Sequence, residues 1–322
     1  MNDLIDQLRS EPALAYKLAA GVLGFDPVSP EALQATQEVQ TSPLVNTLLS
    51  ERDADGRHPR HPYSKWVGAH WLLYLLADLG YPPGDQALKP MVDQSLEWLL
   101  GESHQKSIRN IAGLVRRCAS QEGNAIWYSL KLGLADDRIQ QLVEKLILWQ
   151  WPDGGWNCDK HPEASHSSFN ETLIPLRALA LYALLSGDVQ ASHASERAAE
   201  VFLTRQLFKR LSNGRVIDMN FTQLHYPPYW HYDILFALKV MAEAGFIGDP
   251  HCQAALDLLE SRRLPDGGFP AQKAYYRMTN RNRTGFSLVG WGSTSTRHMN
   301  PFVTADALCV LRMAGRYRPS SQ

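Results

Sequence analysis

The chain has 322 residues, with 32 Lys plus Arg against 33 Asp plus Glu and a formal net charge of −1. That balance excludes the basic excess of a generic nucleic-acid binder, and no apolar run approaches the roughly 20 residues a membrane-spanning helix needs. Cys118, Cys158, Cys252 and Cys309 are widely spaced with no Cys-x-x-Cys pair, and Met1-Asn-Asp-Leu opens no signal pattern, so a reducing cytoplasm is the expected compartment.

In chain order, residues 1–50 read as N-terminal capping helices that complete a larger array. From there a joint recurs: a glycine ends an apolar helix and an aspartate soon opens the next. Gly80-Tyr-Pro-Pro-Gly-Asp85, Gly133-Leu-Ala-Asp136, Gly187-Asp188 and Gly245-Phe-Ile-Gly-Asp249 are the instances, with Gly315 after a longer interval. Glycine takes the left-handed conformation beyond a helix end at little cost, and aspartate caps the free N–H groups of the next start. The helix before each glycine is apolar nearly all round, as in 71–76, 173–185 and 234–241. The helix after each aspartate carries one apolar stripe, as in Ile139, Leu142, Val143, Leu146 and Trp149. Buried helices alternating with one-sided ones predict a single all-α domain over 1–322; an open solenoid would alternate in the same way, but the near-uniform buried character of the inner set favours an α/α toroid of about five to six helix pairs around a central apolar cavity.

Gln150-Trp-Pro-Asp-Gly154-Gly-Trp156 resembles the QW repeat of squalene cyclases and of prenyltransferase β subunits, with Gln150, Gly154 and Trp156 in the repeat's places. Leu264-Pro-Asp-Gly-Gly-Phe269 and Asp53-Ala-Asp-Gly56 are weaker copies. The resemblance covers most of the chain from Asp53 onward and implies the toroid. It also implies isomerase-type chemistry on an isoprenoid or similar apolar substrate. Two departures qualify that. The Asp-x-Asp-Asp that protonates substrate in the cyclases is missing, and so is an Asp-Asp-x-x-Asp for magnesium. Full-length squalene cyclases carry two such domains; this chain resembles one.

Aligning the inner helices through their leucines puts Glu171, Asp233 and Asp306 in one frame, with His70 in the same place. In a ring these would meet at one mouth. Asp233 lies in Tyr229-Trp230-His231-Tyr232-Asp233, where aromatic surroundings would raise a carboxyl pKa and suit a general acid. Asp233, Glu171, Asp306 and His231 are therefore the candidate catalytic groups, against a reading of the acids as first-turn capping residues. His70, Trp71, Trp127, Trp156, Phe169, Tyr229, Trp230, Tyr232 and Trp291 are candidates to line the cavity, since aromatic faces stabilise cations; each also fits core packing.

Residues 156–171 collect Cys158, Asp159, His161 and His166, which zinc accepts, although the Asp-before-Cys spacing of protein prenyltransferases is not matched. The alternative is a capping loop with Cys158 beneath Trp156. No other cofactor is indicated. The inserted segment 267–305 contains no Asp or Glu but carries Arg281, Arg283 and Arg297, an arrangement suited to an anionic group on the substrate or to a solvated loop. Three functions stay open: a terpenoid-cyclase-like enzyme using acid-initiated chemistry, a non-catalytic toroid binding a hydrophobic ligand or partner, and a carbohydrate-active lyase or hydrolase. Oligomeric state is not specified.

Overall fold

The computed structural model describes residues 2–26, 29–281 and 284–318. They are mostly helical. The elements are α1 (Asn2–Leu8), α2 (Pro12–Leu18, continued by a π-helical turn Ala19–Leu23), α3 (Pro30–Thr41), α4 (Pro43–Leu48), α5 (Ala69–Leu79) and α6 (Lys89–Leu100). After α7 (Glu102–Lys106) comes a hairpin, β1 (Arg109–Ile111) and β2 (Leu114–Arg116). Then follow α8 (Ser120–Lys131), α9 (Asp137–Trp149), α10 (Phe169–Ser186), α11 (Val189–Leu203), α12 (Ile234–Glu243), α13 (Gln253–Glu260) and α14 (Pro301–Met313). No helix among the described residues is long and apolar enough to cross a membrane.

The joints work as their residues dictate. Gly80 and Gly187 end α5 and α10 in the left-handed region, with φ of 85° and 74°. Asp136 and Asp188 then accept backbone N–H bonds from Arg138 and Ala191 at the starts of α9 and α11. Every residue of α5 is buried, whereas α9 buries Ile139, Leu142, Val143, Leu146 and Trp149 and leaves its other face to solvent. Helices with one apolar stripe must lie outside helices that are apolar all round.

Packing follows that division in part: α10 is buried up to Leu179 but exposes Leu184 and Leu185 beyond it, a correction to the expectation that 173–185 is buried throughout. α5 packs on α8, α8 on α10, α10 on α12, α12 on α14, α14 on α2, and α2 returns to α5. A second set lies against these: α3 on α2, α6 on α5, α9 on α8, α11 on α10 and α13 on α12. α8 and α10 approach closely, and a Cβ on Gly123 would stand 2.8 Å from the Pro175 nitrogen. Pro175, inside α10, lacks the N–H that would otherwise be crowded there.

Two local features depart from the helical expectation. β1 and β2 pair antiparallel with Asn110 opposite Val115, across a two-residue turn in which Ala112 and Gly113 both have positive φ. The segment 267–305 is no free loop. It forms parallel bridges Ala271↔Thr294 and Arg277↔Phe286, a third bridge ties Lys273 to His225, and the Trp66 indole donates to Tyr275 O at 2.8 Å.

Candidate functional site

The expected register of the acids is corrected by the caps. Asp233 is the N-cap of α12, but α14 is capped by Asn300, which accepts from the N–H groups of Phe302 and Val303. Asp306 therefore sits inside its helix, level with Lys239 rather than with Asp233. Lys17 of α2 reaches the same level. Lys17 Nζ lies 2.7 Å from Asp78 and 2.9 Å from Asp306, and Lys239 Nζ lies 2.6 Å from Asp78 and 3.1 Å from Asp306. Tyr226 donates to Asp78 at 2.9 Å, and Arg177 forms two bonds to Glu243 at 2.5 and 2.7 Å. In place of a purely apolar centre, α2, α5, α10, α12 and α14 share a layer of interlocked charges.

Burial alone would push the Asp78 carboxyl up, but Lys17, Lys239 and Arg177 together hold it well below the usual carboxylate range. Burial, followed by the charge of Asp78, pushes the Tyr226 hydroxyl far up. Lys239 is also raised, its burial outweighed by Asp306 and Asp78. Asp78 is thus held as a carboxylate and is no proton donor.

Above this layer, at the C-terminal ends of α5, α12 and α14, opens a pocket of about 480 Å³. Tyr16, Leu33, Trp127, Val310 and Met313 supply its apolar walls, and the charged layer supplies its floor. Its lining includes four cations (Lys17, Lys131, Arg177, Lys239) and three carboxylates (Asp78, Glu243, Asp306). Each carboxylate is already paired. Lys131 is exposed at the rim, and Nη1 of buried Arg177 has no hydrogen-bond partner while the guanidinium lies 3.5 Å over the Trp127 ring. Sequence reasoning missed most of this site, because its charged residues lie on different helices and meet only through packing.

At the other end of α8, about 16 Å away at 1.5 Å per residue, lies Glu171. Its Oε2 accepts the Ser120 N–H at 3.1 Å, and its Oε1 is 3.7 Å from Cys158 Sγ. Cys118 completes the group: ligand atoms of Cys118, Cys158 and Glu171 all fall within 4.8 Å of one another. Burial raises the Glu171 pKa. A hydrogen bond between the thiols moves them apart, raising Cys118 and lowering Cys158. The metal set expected around Cys158 is corrected accordingly. Asp159, His161 and His166 are exposed, and Asp159 accepts the His161 N–H at 2.9 Å within its own loop.

Asp233 is not a free acid. Its two oxygens accept from Phe236 N at 2.7 Å and His225 N at 2.9 Å, and His225 Nδ1 stands 2.7 Å away. His231 is stacked between Trp230, at 3.9 Å, and Tyr275, at 3.4 Å, and burial lowers its pKa to about 3.

Of the aromatic candidates, Trp127 alone lines the pocket. Tyr229 (φ 52°) stacks on Trp66 at 3.9 Å, with Trp71 edge-on to both. His70 is enclosed by Tyr63, Trp71, Trp98 and Tyr128. Phe169 and Tyr232 stack with Phe202, while Trp291 donates to Ser287 Oγ at 3.0 Å. Trp156 donates its indole N–H to Leu146 O, and Gln150 donates to Gly154 O and Ala194 O, so these residues tie the end of α9 to its neighbours. Arg281 and Arg297 are exposed and away from the pocket; Arg283 lies outside the described residues. No protein-family model matches the chain, and neither a curated protein nor a solved structure gives a significant match.

Proposed function

We propose that the protein is an α/α toroid of six inner helices that binds an apolar small molecule carrying an anionic group. The run of contacts from α2 through α5, α8, α10, α12 and α14 back to α2 supports the ring. One observation carries the binding reading: a pocket with apolar walls whose carboxylates are all ion-paired and whose four cations exceed its three carboxylates by one, with Lys131 exposed at the rim. Apolar walls with a few convergent polar groups are the usual make-up of a small-molecule site.

The resemblance to squalene cyclases makes an isoprenoid the substrate class to try first. Acid-initiated cyclisation has less support than binding. Asp78 is held ionised, Asp306 is paired to two lysines, and Glu171 lies at the far end of α8. The test is binding of farnesyl diphosphate against farnesol, with product analysis on the same samples. The diphosphate should bind at least tenfold more tightly, or about 1.4 kcal/mol. Lys131→Glu should erase that margin, and Met313→Trp should block both ligands. Equal affinity for the two, or no binding of either, removes the reading; conversion of the bound ligand restores the cyclase-like one.

A further inference from the structure

We infer that Cys118, Cys158 and Glu171 bind a thiophilic divalent cation, zinc in preference, with one coordination position left for a water or a ligand. This site is separate from the pocket and does not depend on the binding reading above.

The distances suit the ion. Zinc–sulfur bonds of about 2.3 Å and zinc–oxygen bonds of about 2.1 Å, at a tetrahedral angle, put sulfur and oxygen about 3.6 Å apart. Cys158 Sγ and Glu171 Oε1 are 3.7 Å apart, and the Cys118 thiol lies in the same cluster. Hydrogen bonding between a thiol and a carboxylate also gives that separation; what marks a metal site is how the three groups are held.

Each comes from a different segment, and each segment is fastened beside the next. Arg117 N donates to Asn157 O at 3.0 Å, which sets the residues immediately before Cys118 and Cys158 side by side. A parallel bridge between Arg116 and Asn157 reinforces that register. The Cys158 segment is tied to α10 through Ser168 N to Trp156 O at 2.9 Å and Trp156 N to Thr172 Oγ1 at 3.1 Å. Glu171 is oriented by the Ser120 N–H on its second oxygen, leaving Oε1 turned to the thiols. A carboxylate fixed by a second partner is how outer groups orient metal ligands. The two thiols are half-buried, so an ion and a fourth ligand reach them from solvent.

Charge also fits. Two thiolates and a carboxylate around a doubly charged ion leave one net negative charge, and Lys65 is near enough to interact with the charge of Cys118. The starts of α8 and α10 add partial positive charge beside the three groups. Three protein ligands with an open position are the arrangement of catalytic rather than structural zinc.

The test uses the full chain, reduced, stripped with chelator and titrated with Zn(II), with bound metal counted by mass spectrometry. One zinc per chain is expected. Cobalt(II) in its place should show a sulfur charge-transfer band of two-thiolate intensity. Cys118→Ser and Cys158→Ser should each weaken zinc at least 100-fold, while Cys252→Ser should leave it unchanged. Glu171→Gln should weaken it roughly tenfold and keep the two-thiolate band. Should a variant fail to fold, thiol counting on the unaltered chain decides: zinc should protect two of the four cysteines from a thiol reagent. No zinc uptake, cobalt without the sulfur band, zinc uptake unchanged in both serine variants, or an oxidised Cys118–Cys158 pair in the reduced preparation overturns the assignment.

Discussion

His70 is fully buried among aromatic rings, with Nε2 unpartnered and Nδ1 3.5 Å from the Tyr128 hydroxyl. Burial, with a smaller contribution from His104, lowers its pKa to about 3, against an ordinary value of 6.5. The folded chain therefore keeps it neutral between those values while the unfolded chain protonates it. Stability should fall as pH drops from about 6.5 toward 3, at about 1.4 kcal/mol per pH unit for this group. His231 adds a similar slope over the same window. Asp78 acts lower: its folded pKa is depressed, so its contribution is complete above the usual carboxylate value and is lost as pH falls below it. Denaturant unfolding of His70→Gln at pH 6.5 and 5 should show about 2 kcal/mol less acid loss than the unaltered chain. Equal slopes would mean that His70 titrates normally in the folded protein.

At the scale of elements, the α8–α10 contact depends on Gly123. Alanine there gains about 1 kcal/mol in helix propensity, but overpacking costs typically 1–3 kcal/mol. The backbone of Pro175 and Ile174 cannot swing aside as a side-chain tip would. Gly123→Ala should lower the unfolding midpoint, while Gly248→Ala, where nothing lies within 4 Å of the added carbon, should not. A neutral Gly123→Ala would show that the two helices can separate freely. Helices and joints were legible in the sequence because glycine and aspartate act locally at helix ends. The hairpin was not: its turn uses Ala112 with φ 54°, where a left-handed turn normally signals itself with asparagine or glycine. The leucine alignment misplaced Asp306 because Asn300, six residues earlier, does the capping. For the site, Glu171 and Cys158 were named from sequence. Their partner Cys118 was not, since about 40 residues separate the two cysteines and no local pattern joins them.

For the molecule as a whole, the charged layer is expected to specify arrangement more than to add stability. Taking an ion out of water costs several kcal/mol, which a buried pair only partly recovers. Lys17→Met leaves Asp78 and Asp306 sharing Lys239 and should cost about 3–5 kcal/mol. Combined with Asp306→Leu, which removes the stranded carboxylate, the loss should shrink well below the sum of the two single losses. Additive losses in chemical denaturation would show that the charges act independently. Asp306 was legible in the sequence as an acid on a buried helix, but Lys17 and Asp78 were not, since they join it and Lys239 only once the helices pack.

The bond between Lys17 and Asp306 joins residues 289 positions apart. On a ribosome adding about 5–20 residues per second, Lys17 waits roughly 15–60 s for that partner. Asp78, only 61 positions on, arrives far sooner and can hold the lysine meanwhile. The flank of α2 that meets α14 should therefore stay bare until α14 has been made. Ala13, Leu14 and Leu18 are among the apolar residues buried on α2 in the finished fold. A chaperone that shields helix faces would find its work there, and cells short of it should accumulate self-associating chains with that flank bare rather than unfolded chain.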